Sequence, residues 1–129
     1  MDNLNNLKVK NFTDLLVWKE AHRLSLQVYK LTKNFPKAEI YSLVDQMRRA
    51  TVSIGSNIAE GFSRQSYAEK AQFYAIAQGS LTELQNQLLI ARDVSYLTSE
   101  DFKTIWLQSE TTNKLLNGLL RKTKEIRDN

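Results

Sequence analysis

Apolar residues recur along this chain at three- and four-residue steps, the period of helices buried on one side. Val17, Ala21, Leu24, Val28, Leu31 and Phe35 alternate in this way, with Leu15, Trp18 and Tyr29 beside the stripe. Thr13 is placed to cap this first helix, with Asp14 in its first turn. Asn34-Phe35-Pro36-Lys37 breaks it, because proline disfavours helix at the residue before it. Ile40, Leu43/Val44, Met47, Ala50/Thr51, Ile54 and Ile58 predict a second helix from about Ala38 to Ala59. Gly61 is positioned to end it in a left-handed cap. Ser66 and Glu69 have capping-box spacing and open a third helix. There Tyr67, Tyr74, Leu81 and Leu88 repeat every seven residues beside Ala77, Leu84 and Ala91. Thr98-Ser99-Glu100-Asp101 opens a fourth, with acids at its positive end. Its inner face is Ile105, Ser109, Thr112, Leu116, Leu119 and Ile126.

Loops of about five residues suit antiparallel neighbours. The predicted fold is therefore all-α, an antiparallel up-down-up-down four-helix bundle over residues 13–126, with residues 1–12 a flexible N-terminal arm carrying Lys8 and Lys10. Trp18, Phe73 and Ile76 fall outside one four-helix seam. This predicts a further surface that covers them, and hence a homo-oligomer.

The middle of the second helix is unusually small: Ser53, Gly55, Ser56 and Asn57 lie among its apolar positions. Glycine inside a helix costs about 1 kcal/mol relative to alanine. Its presence predicts a close helix–helix contact, and Gly79-Ser80 on the third helix is the expected partner. The other reading of the stretch is a polar face, Ser56, Asn57 and Glu60, that meets a partner molecule. Arg48 and Arg49 point about 100° apart; one is set to pair with Asp45, the other to reach solvent, a neighbouring subunit or an anion.

The run Arg48-Arg49-Ala50-x-x-Ser53-Ile54-x-Ser56-Asn57-Ile58-Ala59-Glu60-Gly61 resembles the signature of a bacterial family of small four-helix-bundle proteins encoded by intervening sequences in 23S ribosomal RNA genes. Phe12 through Trp18, Phe35-Pro36, and Ile76-Ala77-x-Gly79-Ser80-Leu81-x-Glu83-Leu84 match it too. Gly55 departs from the family, which often carries proline there; either residue loosens the helix. Ser56, Asn57, Glu60 and Gly61 are carried over as family-motif residues. The resemblance implies ring-like homopentamers. It also implies kinship with the accessory subunit of diversity-generating retroelements, which binds nucleic acid and a partner reverse transcriptase.

Composition narrows the chemistry. There is no cysteine, which excludes disulfides and thiolate metal sites. His22 is the one histidine, too few for a ferritin-like carboxylate–histidine pair or a zinc-protease helix. The glycines are too dispersed for a phosphate-cradling loop. No enzyme, cofactor or metal is expected. No run is long enough to span a bilayer and the N-terminus is polar, so a cytoplasmic protein is expected.

Eighteen Lys and Arg stand against fourteen Asp and Glu, a net charge of +4, which leans towards anionic partners. Arg48, Arg49, Arg64, Lys114, Arg121 and Lys124 are the candidate nucleic-acid contacts, RNA or DNA, made through phosphate charge alone. The alternative is a protein-interaction or structural module whose polyanion binding is incidental.

Overall fold

The computed structural model describes residues 9–129. Lys8 and most of the expected N-terminal arm lie outside the described residues. Four helices carry the chain: α1 (Leu16–Thr32), α2 (Leu43–Ser63), α3 (Tyr67–Asp93) and α4 (Ser99–Arg127). Short 3-10 turns at Phe12–Asp14 and Lys37–Glu39 precede α1 and α2. Among the described residues there is no strand.

Side-chain pairings fix the directions. Ser25 meets Thr51, and Arg48 meets Thr32, so residue numbers rise on α1 as they fall on α2. Ser53 meets Ser80 while Phe62 meets Lys70, and the same reversal holds for α2 and α3. Gln85 meets Ser109 and Gln78 meets Asn117, which sets α3 against α4. Gln108 closes the ring on Glu20 of α1. The bundle is antiparallel, and its packing lies between these four neighbouring pairs.

Most positions of the stripes read from the sequence form the core; Tyr67, in the first turn of α3, and Ile40, in the turn before α2, are exposed instead, and Leu31 is half-buried. Ala21, Leu24 and Val28 of α1, Ile54 and Ile58 of α2, and Leu81, Leu84 and Leu88 of α3 are wholly buried, as is Leu116 of α4. Full burial of a leucine or isoleucine stabilises the fold by about 1.5–3 kcal/mol. Buried hydroxyls find acceptors one turn back in their own helices. Thr112 donates to the Gln108 carbonyl at 2.9 Å, and Thr123 to that of Leu119 at 2.7 Å. That satisfies polar groups which would otherwise be costly inside.

Helix ends differ from the sequence expectation in three places. Thr13 does not cap α1. Asn11 caps the 3-10 turn instead, accepting from the Thr13 N–H at 2.8 Å, while Asp14 reaches back to the Asn11 N–H. Leu15 is extended, so the helix proper starts at Leu16. The start of α2 is delayed to Leu43, because the 3-10 turn after Pro36 takes the chain around the corner first. Gly61 does not end α2 either: it is a buried helical residue, no described glycine has positive φ, and the helix runs to Ser63. What satisfies the end of α2 is Lys70 of α3, whose Nζ donates to the Phe62 carbonyl at 2.7 Å and lies 3.4 Å from that of Gly61. Burial lowers the pKa of that ammonium.

The expected inner face of α4 drifts as well. Leu120 and Thr123 are buried, whereas Leu119 is half-buried and Ile126 is exposed. The cause is length: α1 has 17 residues and α4 has 29. Gln108 already touches Glu20, near the start of α1, so the later turns of α4 run past α1. Leu119 and Ile126 continue the α1-facing stripe beyond the helix it serves.

Candidate nucleic-acid interface

The six basic residues picked from the sequence occupy different surroundings. Arg48 is held against α1. Its Nε donates to Thr32 Oγ1 at 3.0 Å, and its guanidinium lies 4.6 Å from the centre of the Tyr29 ring. A cation there also faces the negative end of α1. Arg49 pairs with Asp45 at 3.0 Å and is otherwise solvent-facing. Arg48 and Arg49 therefore divide as expected, but the one not paired with Asp45 is anchored within the bundle rather than reaching out. Arg64 pairs with Glu60 at 3.1 Å and covers the Phe73 ring at 4.7 Å, with its Nε buried and unpartnered.

Lys114, Arg121 and Lys124 are exposed and, among the described residues, enter no ion pair. They lie on the later turns of α4, away from the face by which Gln108 meets α1. Lys122 is exposed among them, and Arg127 follows, paired with Asp128 at 2.8 Å. This stretch gathers four exposed cations, with Glu110 and Glu125 the exposed carboxylates nearest to them on the same helix. Arg64, at the end of α2, belongs to the same end of the bundle. Arg48 and Arg49 do not: they lie near the other end, about 22 Å away along α2 by helical rise. The six residues form two basic regions, not one.

The family-motif residues separate into structural and surface positions. Asn57 Nδ2 donates to the Ser53 carbonyl at 2.8 Å and lies 3.1 Å from Ser53 Oγ, which meets Ser80 Oγ at 2.8 Å. Asn57 thus holds Ser53 on the α2–α3 contact. Glu60 is spent on Arg64. Gly61 admits the Tyr74 ring. Ser56 alone is exposed and uncommitted. It lines an outer groove of about 380 Å³ between α1 and α2, with Trp18, His22, Leu26, Val52 and Gly55.

The small spot on α3 does not meet Gly55. A Cβ on Gly55 would face the Trp18 indole at 3.7 Å, whereas one on Gly79 would meet nothing within 4 Å. Ser80 is buried against Ser53, and Gly79, next to it in sequence, is turned 100° away into solvent. Trp18 and Phe73 gain cover within the chain. Trp18 stacks on His22 at 4.8 Å and meets Phe12 edge-on at 5.3 Å, and Phe73 lies under Arg64. Ile76 remains 53% exposed. Asn11 and Phe12 are thereby tied to α1 although they precede it.

Lys70 and the projecting Tyr41 were not singled out from the sequence. Lys70 acts across two helices, and no local spacing signals that. Among the described residues no group of three or more His, Cys, Asp or Glu is placed to hold a metal, and no helix is long and apolar enough to cross a membrane.

A family model for the 23S rRNA-intervening sequence protein matches residues 13–118. A crystal structure of a protein of unknown function from the S23 ribosomal protein family of Bacteroides thetaiotaomicron VPI-5482 superposes with a TM-score of 0.76. Its sequence is 25% identical, and the match covers 82% of this chain and 96% of that one. No curated protein matches. The signature on α2, the antiparallel bundle around it and a match over most of the length agree: this chain belongs to the 23S rRNA-intervening sequence protein family.

Proposed function

We propose that this protein is a non-catalytic, self-associating bundle that binds nucleic acid or a nucleoprotein through the basic part of α4. The observation that carries the reading is the run of exposed Lys114, Arg121 and Lys124 on the later turns of α4, none of them in an ion pair among the described residues. Phosphate contacts of this kind set affinity and orientation without reading sequence. Copies joined in one assembly add their basic faces, and such multivalency raises avidity by about 10²–10⁴. A homopentamer and a partner reverse transcriptase are what the resemblance adds to this reading, and a cytoplasmic location goes with it. A gel shift with labelled RNA and with labelled DNA at low salt tests it. A shifted band is expected, and free probe throughout would overturn it.

The second reading, a protein-interaction module, is favoured by one feature. The α1–α2 groove leaves Leu26 59% and Val52 46% exposed beside small Gly55 and Ser56, a surface shaped for an apolar partner. Self-association satisfies both readings. Light scattering separates it from a lone chain of 14.9 kDa.

A further inference from the structure

The turn between α1 and α2 carries a feature that the basic stretch of α4 does not account for. Tyr41 is 94% exposed, and Ile40 beside it is 48% exposed. Single exposed apolar residues are ordinary. Here the two adjoin a cavity of about 470 Å³ lined also by Lys33, Phe35, Lys37 and Arg48. Phe35 is buried and packs on Tyr96, so the cavity floor is fixed.

The charges around it are mostly positive. Lys33, Lys37 and Arg48 line the cavity with Asp45, Arg49 and Glu39 lie beside it, and Lys30 lies further round, next to Asp101. The carboxylates of Glu39 and Asp45 are engaged. Glu39 accepts from the Tyr96 hydroxyl at 2.9 Å and from the Leu43 N–H at 3.3 Å, and Asp45 holds Arg49. The surface offered to a ligand is an unstacked aromatic ring over an apolar floor, rimmed by lysines.

We infer that this end of the bundle is a site for single-stranded nucleic acid, with a base stacked on Tyr41 and the adjoining phosphates on Lys33 and Lys37. The occupant follows from the combination. Cations alone suit any polyanion, but a projecting ring needs a free π-face, and a duplex buries its base faces within the stack. The inference rests on the nucleic-acid reading above and places a second, strand-selective contact at the opposite end of the molecule from the α4 stretch.

Fluorescence anisotropy of the full chain with a labelled mixed-sequence oligonucleotide, single-stranded and as its duplex, tests it. Tyr41→Ala is expected to weaken single-strand binding by about tenfold, the loss typical of one stacked base, and to leave duplex binding unchanged. Tyr41→Phe is expected to bind as the parent does. Lys33→Gln with Lys37→Gln is expected to weaken single-strand binding and flatten its salt dependence. An unaltered single-strand affinity for Tyr41→Ala, or equal losses for strand and duplex, would overturn the inference and leave the α4 reading standing. A drop in assembly mass for Tyr41→Ala with its affinities unchanged would assign the surface to a contact between copies, which also overturns it. Parent protein that binds neither probe would overturn the α4 reading itself, and this one with it.

Discussion

Gly61 lies against the ring of Tyr74, close enough that a Cβ there would stand 2.6 Å from Cε1 and 2.9 Å from Cδ1. The ring is 2% exposed and has nowhere to retreat. Glycine at this point sets the spacing of α2 and α3, although sequence position alone suggested a helix terminator. Gly61→Ala is expected to lower stability by about 1–3 kcal/mol, the usual cost of overpacking. Gly79→Ala, where a Cβ meets nothing, is expected to raise it by up to about 1 kcal/mol through helix propensity. Urea denaturation of the two variants checks both, and a neutral Gly61→Ala would refute the close approach.

Ser95 is the one described non-glycine residue with positive φ, at 67°. It follows α3 in a Schellman arrangement: its N–H donates to the Arg92 carbonyl at 3.0 Å, and the Tyr96 N–H to that of Ala91 at 2.9 Å. Glycine adopts this conformation without the steric penalty of a side chain. Ser95→Gly is expected to stabilise the protein by roughly 1 kcal/mol, read as a rise in Tm. A fall would mean that the serine side chain earns its place by some other contact.

Lys70 joins the start of α3 to the end of α2 through the Phe62 carbonyl. Lys70→Met keeps most of the side-chain volume and removes the donor. A loss of about 1.5–3 kcal/mol is expected, as for other hydrogen bonds to charged groups. Chemical denaturation of the variant measures it, and an unchanged midpoint would show that water replaces the ammonium at no cost.

Glu39 links both turns at one end of the bundle. Its hydrogen bond from Tyr96, then those from the Leu43 N–H and Ser42, hold its carboxyl below the usual range. A folded-state pKa below the unfolded one gives stability that is present above the unfolded value and lost as pH falls through the folded one. Glu39→Gln is expected to melt below the parent near neutrality, with the gap closing from about pH 5 downward. A gap that stays constant into acid would show that the charge is not what holds the turns together.

Helix existence was legible because a buried stripe leaves a period, and most positions of the α1 and α3 stripes reappear in the core, Tyr67 at the exposed start of α3 and the half-buried Leu31 excepted. Helix ends were less so. Ser66 and Thr98 cap as their spacing implied, accepting from the Glu69 N–H at 3.1 Å and the Asp101 N–H at 3.0 Å. The end of α2 is decided by Lys70 from another helix. The Leu119–Ile126 stripe was read as core because sequence does not show that α1 stops short. Of the candidate contacts, charge identified the residues but not their company. Arg48 and Arg64 are anchored by Tyr29, Thr32, Phe73 and Glu60, Arg49 pairs with Asp45 as one of the two arginines was expected to, and the lysines and arginine of α4 enter no ion pair among the described residues.

Cations of α4 that meet phosphates set how steeply binding falls with salt. The decisive comparison is the slope of log affinity against log salt for the parent and for Arg121→Gln with Lys124→Gln. Each phosphate contact contributes about 0.7–0.9 to that slope, so loss of two cations is expected to flatten it by roughly 1.5 for every protomer engaged. A slope identical to that of the parent would mean that these cations meet no phosphate and are spectators to whatever binds.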